Sequence, residues 1–291
     1  MVAIRHRQAI AIWLLTCVAG VVALVIIGGI TRLTDSGLSM VEWRPLMGFL
    51  PPLSAAEWER VFALYRSSPE YQTYNAGMGL AGFKNIFWWE YIHRFSGRLI
   101  GLLFFIPFVY FLVKGRLTAG LTWRLAGLLI LGGLQGVIGW WMVKSGLTDR
   151  PDVSQYRLLV HLLLALVIMG MLFHLALSVI VRLSQRVRVD KSLAAHAWLV
   201  VGLIVVTIAG GALVAGTDAG QIYNSFPMMG DSLIPSEYGF LAPFWLNIFE
   251  NPAAIQFNHR WLAVLTFIAI VALWLRARQA RLNKAAHLSL I

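Results

Sequence analysis

The chain contains 291 residues, of which 59% are hydrophobic and 13% charged, and its 24 Lys and Arg against 13 Asp and Glu give a net charge of +11. A nucleic-acid-binding protein of this charge would carry its basic residues among many other polar residues. Here long stretches carry no charge, so no nucleic-acid partner is expected. The composition is typical of a protein that crosses a membrane several times. The single cysteine, Cys17, excludes an internal disulfide and a cysteine pair for metal or redox chemistry.

Stretches without Asp, Glu, Lys or Arg predict six transmembrane helices, because a helix needs about 20 residues to cross the bilayer. Four of them are long enough as they stand. The other two hold 15 residues each and must extend toward their N-termini, where each extension takes in a His-Arg pair. The expected fold is therefore an all-α, polytopic membrane protein. The predicted spans are residues 8–31, 99–113, 125–143, 158–181, 192–217 and 261–275.

The distribution of basic residues predicts the orientation of these spans. The N-terminus, the 114–124 turn, the 182–191 loop and the C-terminal tail together hold 13 basic residues and one acid, whereas the other side holds 11 basic residues and 12 acids. By the positive-inside rule, both ends of the chain are then cytoplasmic. Spans two, four and six run inward, so their N-terminal turns face outward.

Three histidines follow from this orientation as candidate heme ligands. His93, His161 and His259 are each expected within about the first two turns of an inward-running span, at similar depth near the outer face. Two axial ligands of one heme require equal depth. The segments before His93 and His259, residues 32–92 and 218–257, are expected to be long outer loops, which in proteins are often functional.

An internal repeat relates the two halves of the chain. In both copies a glycine precedes a Thr-Asp pair by six residues, a Pro-x-Met-Gly segment follows, and a His-Arg pair then opens a span. The agreement of these distances predicts two units, residues 1–190 and 191–291. The repeated elements are Gly28, Thr34-Asp35, Pro45-Leu46-Met47-Gly48 and His93-Arg94 in the first copy, and Gly211, Thr217-Asp218, Pro227-Met228-Met229-Gly230 and His259-Arg260 in the second.

The repeat also suggests that the second unit is incomplete. In the first unit a second histidine, His161, follows His93 by 68 residues, and the same step from His259 leads beyond the end of the chain. Residues 285–291 are expected to begin a seventh span of an eight-helix protein. On this interpretation the given polypeptide would be poor in heme or inactive.

Each candidate residue has a simpler interpretation beside the functional one. His93 is either an axial heme ligand or a histidine at the membrane interface, and His161 is either a ligand or a core residue. Glu90, three residues before His93, either orients its imidazole or handles protons beside a substrate. Arg94, and through the repeat Arg260, either pairs with a heme propionate or snorkels at a helix end.

Three long motifs resemble heme A synthase, most closely its alphaproteobacterial and mitochondrial type. The similarity continues through the second Thr-Asp loop and the segment Asn258-His259-Arg260-Trp261, so it covers nearly the whole chain. The three motifs are Gly28-Gly29-Ile30-Thr31-Arg32-Leu33-Thr34-Asp35-Ser36-Gly37-Leu38-Ser39-Met40, Trp89-Glu90-Tyr91-Ile92-His93-Arg94 and Gln135-Gly136-Val137-Ile138-Gly139-Trp140-Trp141-Met142-Val143-Lys144-Ser145-Gly146-Leu147.

The resemblance implies a fold of two four-helix bundles and a reaction. The C8 methyl group of heme O would be oxidised by successive hydroxylations to a formyl group, with water as the oxygen source, giving heme A for cytochrome oxidase assembly. His93 and His161 match the paired histidines of the substrate-heme site in the first bundle, and Glu90 matches its catalytic carboxylate. His259 matches one iron ligand of a heme b cofactor in the second bundle, which would take electrons from the substrate.

A second class of function stays open from the residues themselves. A non-catalytic b-type cytochrome that carries electrons to or from quinone would place histidines between helices in the same way, but it would leave its heme unmodified. Membrane lipid is expected around the spans. Direct binding to heme O synthase and a homo-oligomeric state are open at this point.

Overall fold

The computed structural model describes residues 4–43, 49–148, 151–180 and 190–279. Within them, six helices are long and apolar enough to cross a membrane, and no β-strand is present. The predicted all-α, six-span membrane protein is thus confirmed. The six helices are α1 (Ile4–Leu33), α4 (Leu80–Val113), α5 (Ala119–Thr148), α6 (Gln155–Ile180), α7 (Lys191–Gly216) and α9 (Pro252–Gln279).

Three shorter helices lie in the two long connections. The connection before α4 holds α2 (Ala55–Arg66) and α3 (Pro69–Thr73), and the one before α9 holds α8 (Asn247–Glu250) and three single turns of 3₁₀ helix. The predicted extensions of the two short spans are confirmed, because α4 and α9 both include their His-Arg pairs. The Pro-x-Met-Gly segment at 45–48, most of the 182–191 loop and the expected seventh span at 285–291 lie outside the described residues.

The first long connection is shorter than expected, because α4 begins at Leu80 rather than near residue 93. The expectation of a loop through residue 92 was therefore wrong for 80–92, and His93 lies 13 residues after the start of its helix instead of in its first two turns. Phe83, Phe87 and Tyr91 follow one another at intervals of four, so they share one helical face. That face packs against aromatic residues of α2 and stabilises the additional turns.

The chain forms two compact units, Met1–Leu183 and Ser184–Ile291. In the first unit, α1 packs against α4 and α6, and α5 packs against α6 and α4, so α4 and α6 occupy diagonal positions of a four-helix bundle. Its core holds Trp13, whose indole N–H donates to the carbonyl of Leu103 (2.9 Å), together with the buried thiol of Cys17. His93 and His161 stand on the two diagonal helices.

In the second unit, the described residues form the pair α7 and α9 with the connection that joins them. Asn247 and Asn251, both buried, brace that connection. Their side-chain amides donate to the backbone carbonyls of Leu241, Phe244 and Glu237. These bonds fix the loop immediately before α9, where His259 lies two turns into the helix.

A buried carboxyl group gives the first connection a pH-dependent stability. Glu70 on α3 is 5% exposed, its Oε2 has no hydrogen-bond partner, and burial raises its pKa to about 8 against the opposing effect of a hydrogen bond from Tyr65. The folded connection thus favours the protonated carboxyl group, because this pKa lies above the unfolded value near 4.5. The contribution of Glu70 to the free energy of unfolding is therefore largest below pH 4.5 and is lost as the pH rises through 8.

We expect the Glu70→Gln variant to lose this dependence and to be more stable than the unchanged protein at pH 9 by a few kcal/mol. Hydrogen exchange of the α2 and α3 amides at pH 5 and pH 9 measures it. Replacing the exposed Glu59 of α2 with Gln is the matched control. Equal protection of the unchanged protein at both pH values would contradict the prediction.

Candidate functional site

Each candidate histidine of the first unit packs against a glycine of a neighbouring helix. A Cβ atom placed on Gly28 of α1 would lie 2.9 Å from Cε1 of His93, and one on Gly139 of α5 would lie 2.9 Å from Cε1 of His161. Both imidazole rings therefore lie in direct contact with the backbone of a glycine. Even an alanine at either glycine would displace the ring, because real Cβ atoms do not approach so closely.

The second unit repeats this contact. A Cβ atom on Gly211 of α7 would lie 3.1 Å from Cε1 of His259, and one on Gly210 would lie 3.2 Å from its Nδ1. Gly28 and Gly211 are the two glycines that the sequence repeat pairs with each other. The repeated glycine and the repeated histidine thus form one structural motif.

The turn after the first helix of each unit is repeated as well. Asp35 and Asp218 have positive φ angles of 48° and 52°, and no other non-glycine residue in the described part of the chain has one. Aspartate is among the few residues that tolerate this left-handed conformation. The preceding threonines, Thr34 and Thr217, each donate from Oγ1 to the carbonyl four residues earlier at 2.8 Å.

The arginine after each repeated histidine ties its helix to this loop. In both units its guanidinium donates to the carbonyl oxygens of the residues five and seven positions after the turn aspartate, so the two loops are held in the same register. The bonds run from Arg94 to Met40 O (3.0 Å) and Glu42 O (3.3 Å), and from Arg260 to Ser225 O (2.7 Å) and Tyr223 O.

Glu90 occupies the centre of the first copy and is 2% exposed. Its Oε2 accepts hydrogen bonds from Ser39 Oγ (2.7 Å) and the backbone N–H of Met40 (2.6 Å), and its Oε1 pairs with Arg94 (2.5 Å). Nδ1 of His93 is buried without a hydrogen-bond partner. The carboxylate thus bonds to the loop and to the arginine, and Nδ1 of His93 takes no part in these bonds, while both interpretations of Glu90 stay predictions.

The second copy holds an amide where the first holds this carboxylate. Gln256 precedes His259 by three residues, as Glu90 precedes His93, and it is 4% exposed. Its Nε2 donates to the carbonyls of Tyr223 (2.9 Å) and Gly220 (3.2 Å). Glu90 thus accepts hydrogen bonds from its loop, whereas Gln256 donates hydrogen bonds to the equivalent loop of the second unit.

The comparisons with known proteins agree with the resemblance of the motifs. A family model described as cytochrome oxidase assembly protein (COX15-CtaA) matches residues 11–291. The chain is 51% identical to a heme A synthase of Rhodospirillum centenum over 91% of this chain and 71% of that protein. It is 47% identical to one of Nitrosomonas eutropha over 98% and 81%, and 46% identical to one of Nitrosospira multiformis over 97% and 80%. No solved structure matches the chain.

The chain belongs to the COX15-CtaA family. The resemblance found in the sequence motifs is confirmed by this match and by the relatives, which the chain covers over most of their length. The repeated contacts described above are therefore features of a member of this membrane-protein family.

The site residues divide into those that the sequence indicated and those that only the structure shows. Glu90 and Arg94 meet in one hydrogen-bonded cluster, whereas binding of a propionate by Arg94 or Arg260 stays a prediction. Gln135 on α5 was not expected at the site, yet its amide lies against His161. Gln256 was also missed, although its position three residues before a repeated histidine could have indicated it.

Proposed function

We propose that the protein is a heme A synthase, which oxidises the C8 methyl group of heme O to a formyl group with water as the oxygen source. The heme A formed would serve cytochrome oxidase assembly. The names of its relatives and the description of its family support a role in heme A synthesis. The protein would lie in the inner membrane with a cytoplasmic N-terminus, so that the long connections and the histidines face outward.

The difference between Glu90 and Gln256 carries the proposal. One scaffold occurs twice, with the same glycine–histidine contact, the same aspartate turn and the same arginine–carbonyl bonds. At the buried position three residues before the histidine, the first copy has an ionisable side chain, Glu90, and the second has an amide, Gln256. A carboxylate can exchange a proton during an oxidation and a carboxamide cannot, so the first unit would hold the substrate and the second a redox cofactor.

The residues present fit a heme in both units. Nδ1 of His93 and Nδ1 of His259 are buried without hydrogen-bond partners. Each ring lies against a glycine, in the place that a side chain would otherwise occupy. Neutral imidazoles in an apolar helical bundle are ordinary axial ligands of heme iron. We therefore assign heme O to His93 and His161 in residues 1–190, and heme b to His259 in residues 191–291.

The side chains of the first unit would do the following. His93 and His161 hold the iron of the substrate from the diagonal helices α4 and α6. Glu90 would take up a proton at its carboxylate as the methyl group is oxidised, and Arg94 would hold this carboxylate in place through its ion pair. Conversion of the methyl group and water into a formyl group releases four electrons and four protons. His259 would hold a heme b, which supplies one-electron redox chemistry for passing these electrons singly to an external acceptor.

The arginine of the second unit suits an anionic cofactor edge. Within the described residues, Arg260 donates to carbonyl oxygens and has no carboxylate partner, unlike Arg94 with Glu90. Its positive charge is thus uncompensated at this position, and a propionate of heme b would neutralise it. This supports Arg260 as a cofactor-binding residue.

Analysis of extracted hemes tests the proposed function. In cells that make heme O, the protein expressed as its entire gene product should produce heme A, detected by chromatography and mass spectrometry. His93→Ala and His259→Ala should each stop its formation, whereas His174→Ala, on the exposed side of α6, should leave it unchanged. Recovery of bound but unmodified heme from the unchanged protein would favour the electron-carrying b-type cytochrome instead.

A further inference from the structure

A glutamine of α5 lies within hydrogen-bond distance of one of the proposed heme ligands. Nε2 of Gln135 lies 3.2 Å from Nδ1 and 3.4 Å from Nε2 of His161, and it donates to the backbone carbonyl of the same residue at 3.0 Å. Gly139, one turn further along α5, contacts the same ring. The imidazole of His161 therefore lies between an amide and a bare helix backbone.

This environment distinguishes His161 from the other two histidines. Nδ1 of His93 and Nδ1 of His259 are buried without a hydrogen-bond partner, whereas Nδ1 of His161 has an amide within hydrogen-bond distance. The Oε1 atom of Gln135 is itself buried without a partner. A buried acceptor without a donor is costly, so a donor is expected to meet it in the functional state.

Iron ligation of His161 would create that donor. An imidazole that binds iron through Nε2 carries its proton on Nδ1, and such ligands nearly always donate this N–H to an acceptor. Rotation of the Gln135 amide about its last bond exchanges the positions of Nε2 and Oε1. After this rotation Oε1 would lie where Nε2 lies now, 3.0 Å from the carbonyl oxygen of His161. Because both oxygens are acceptors, the side chain must also turn away from that carbonyl, which keeps the backbone N–H four residues ahead as its donor.

We propose that Gln135 is a positioning residue for the substrate heme, whose side-chain oxygen accepts a hydrogen bond from Nδ1–H of His161 when Nε2 of that ring binds the iron. The proposal rests on the proposed function, which makes His161 a ligand of the substrate. The bond fixes both the tautomer and the ring orientation. It also makes the imidazole a stronger electron donor to iron. His161 would therefore bind the iron more strongly than His93, which has no such hydrogen bond.

Two substitutions with opposite expected effects on the hydrogen bond test this role in the full chain loaded with heme O. Gln135→Met keeps the length of the side chain and removes its hydrogen bonds, and Gln135→Glu offers a stronger acceptor. Leu134→Met, at an exposed neighbour on α5, is the matched control. The readouts are the dissociation constant for heme O, the midpoint potential of the substrate heme and its ferric electron paramagnetic resonance spectrum.

We expect Gln135→Met to bind heme O about tenfold more weakly and to raise the midpoint potential, because a less basic imidazole stabilises ferric iron less. Gln135→Glu should lower the potential. Unchanged affinity and potential in Gln135→Met, or shifts of the same sign in both variants, would reduce Gln135 to a packing residue and overturn the proposal.

His161→Ala separates this outcome from a failure of the proposed function. If that variant loses heme O while Gln135→Met behaves as the unchanged protein, His161 remains a ligand and only the role of Gln135 is refuted. If His161→Ala binds heme O with unchanged affinity and spectrum, the ligand assignment itself is refuted, and the role of Gln135 with it.

Discussion

The Glu90→Gln variant should still bind heme O but should form heme A at least about 100-fold more slowly, the usual contribution of a general acid or base. An amide at this position is compatible with the scaffold, because Gln256 occupies the equivalent position of the second unit. In the variant, the amide oxygen can still accept from Ser39 and Met40, while the ion pair with Arg94 is lost. The carboxylate that takes up a proton would be absent.

The measurement is a single-turnover conversion of bound heme O, with the heme content of the purified variant determined in parallel. Glu59→Gln provides the matched control, since it removes one carboxylate from an exposed position of α2 in the same unit. Retention of heme O with normal conversion in Glu90→Gln would refute the catalytic role of the carboxylate. Loss of both heme O and conversion would instead make Glu90 a structural residue of the loop.

The spans and the repeat could be predicted because they depend on local patterns. A window free of charge marks a helix in the bilayer regardless of its neighbours. The helices α1, α6 and α7 follow their windows closely, whereas α5 extends beyond its window at both ends. The pairing of Gly28 with Gly211 was visible as an equal distance to a Thr-Asp pair. Its meaning became clear only in the structure, where both glycines lie against the repeated histidines.

Tertiary contacts determined what the sequence pattern did not show. Residues 80–92 contain charges and tryptophans and were expected to form a loop, but the packing of Phe83 and Phe87 on α2 extends α4 through them. The partners of Glu90 are 50 and 51 residues away in the loop. Spacing along one helix indicates a shared face, but it cannot show which distant backbone meets that face.

Comparison of the two units separates the residues that position the loop and the histidine from the one residue that is proposed to be catalytic. The glycine, the aspartate turn and the arginine bonds are the same in both units, so their role is to fix the loop and the histidine. The position three residues before the histidine is free to vary between Glu90 and Gln256, because either polarity finds partners in the loop. On the proposed function, the change at this position would distinguish the unit that holds the substrate from the unit that holds the cofactor.

Gly28→Ala and Gly139→Ala should each strongly reduce the heme O bound by the first unit. The added methyl group would meet Cε1 of the adjacent histidine at 2.9 Å, which forces the imidazole away from its position beside the helix. A displacement of about 1 Å is enough to break axial ligation, which tolerates deviations of only about 0.2 Å in bond length. We expect at least a tenfold loss of affinity for heme O in each variant, measured by titration, and Gly211→Ala should likewise reduce the heme b content.

The chain provides its own controls for this prediction, since Gly29 and Gly136 lie in the same two helices and have nothing within 4 Å of an added Cβ atom. Alanine is the better helix former, so Gly29→Ala and Gly136→Ala should bind heme O normally and should be equally or more stable, by up to about 1 kcal/mol each. If all four variants lost heme O alike, the effect would come from general helix packing. Loss confined to Gly28 and Gly139 would show that the two helices need a glycine where a histidine ring rests on the backbone.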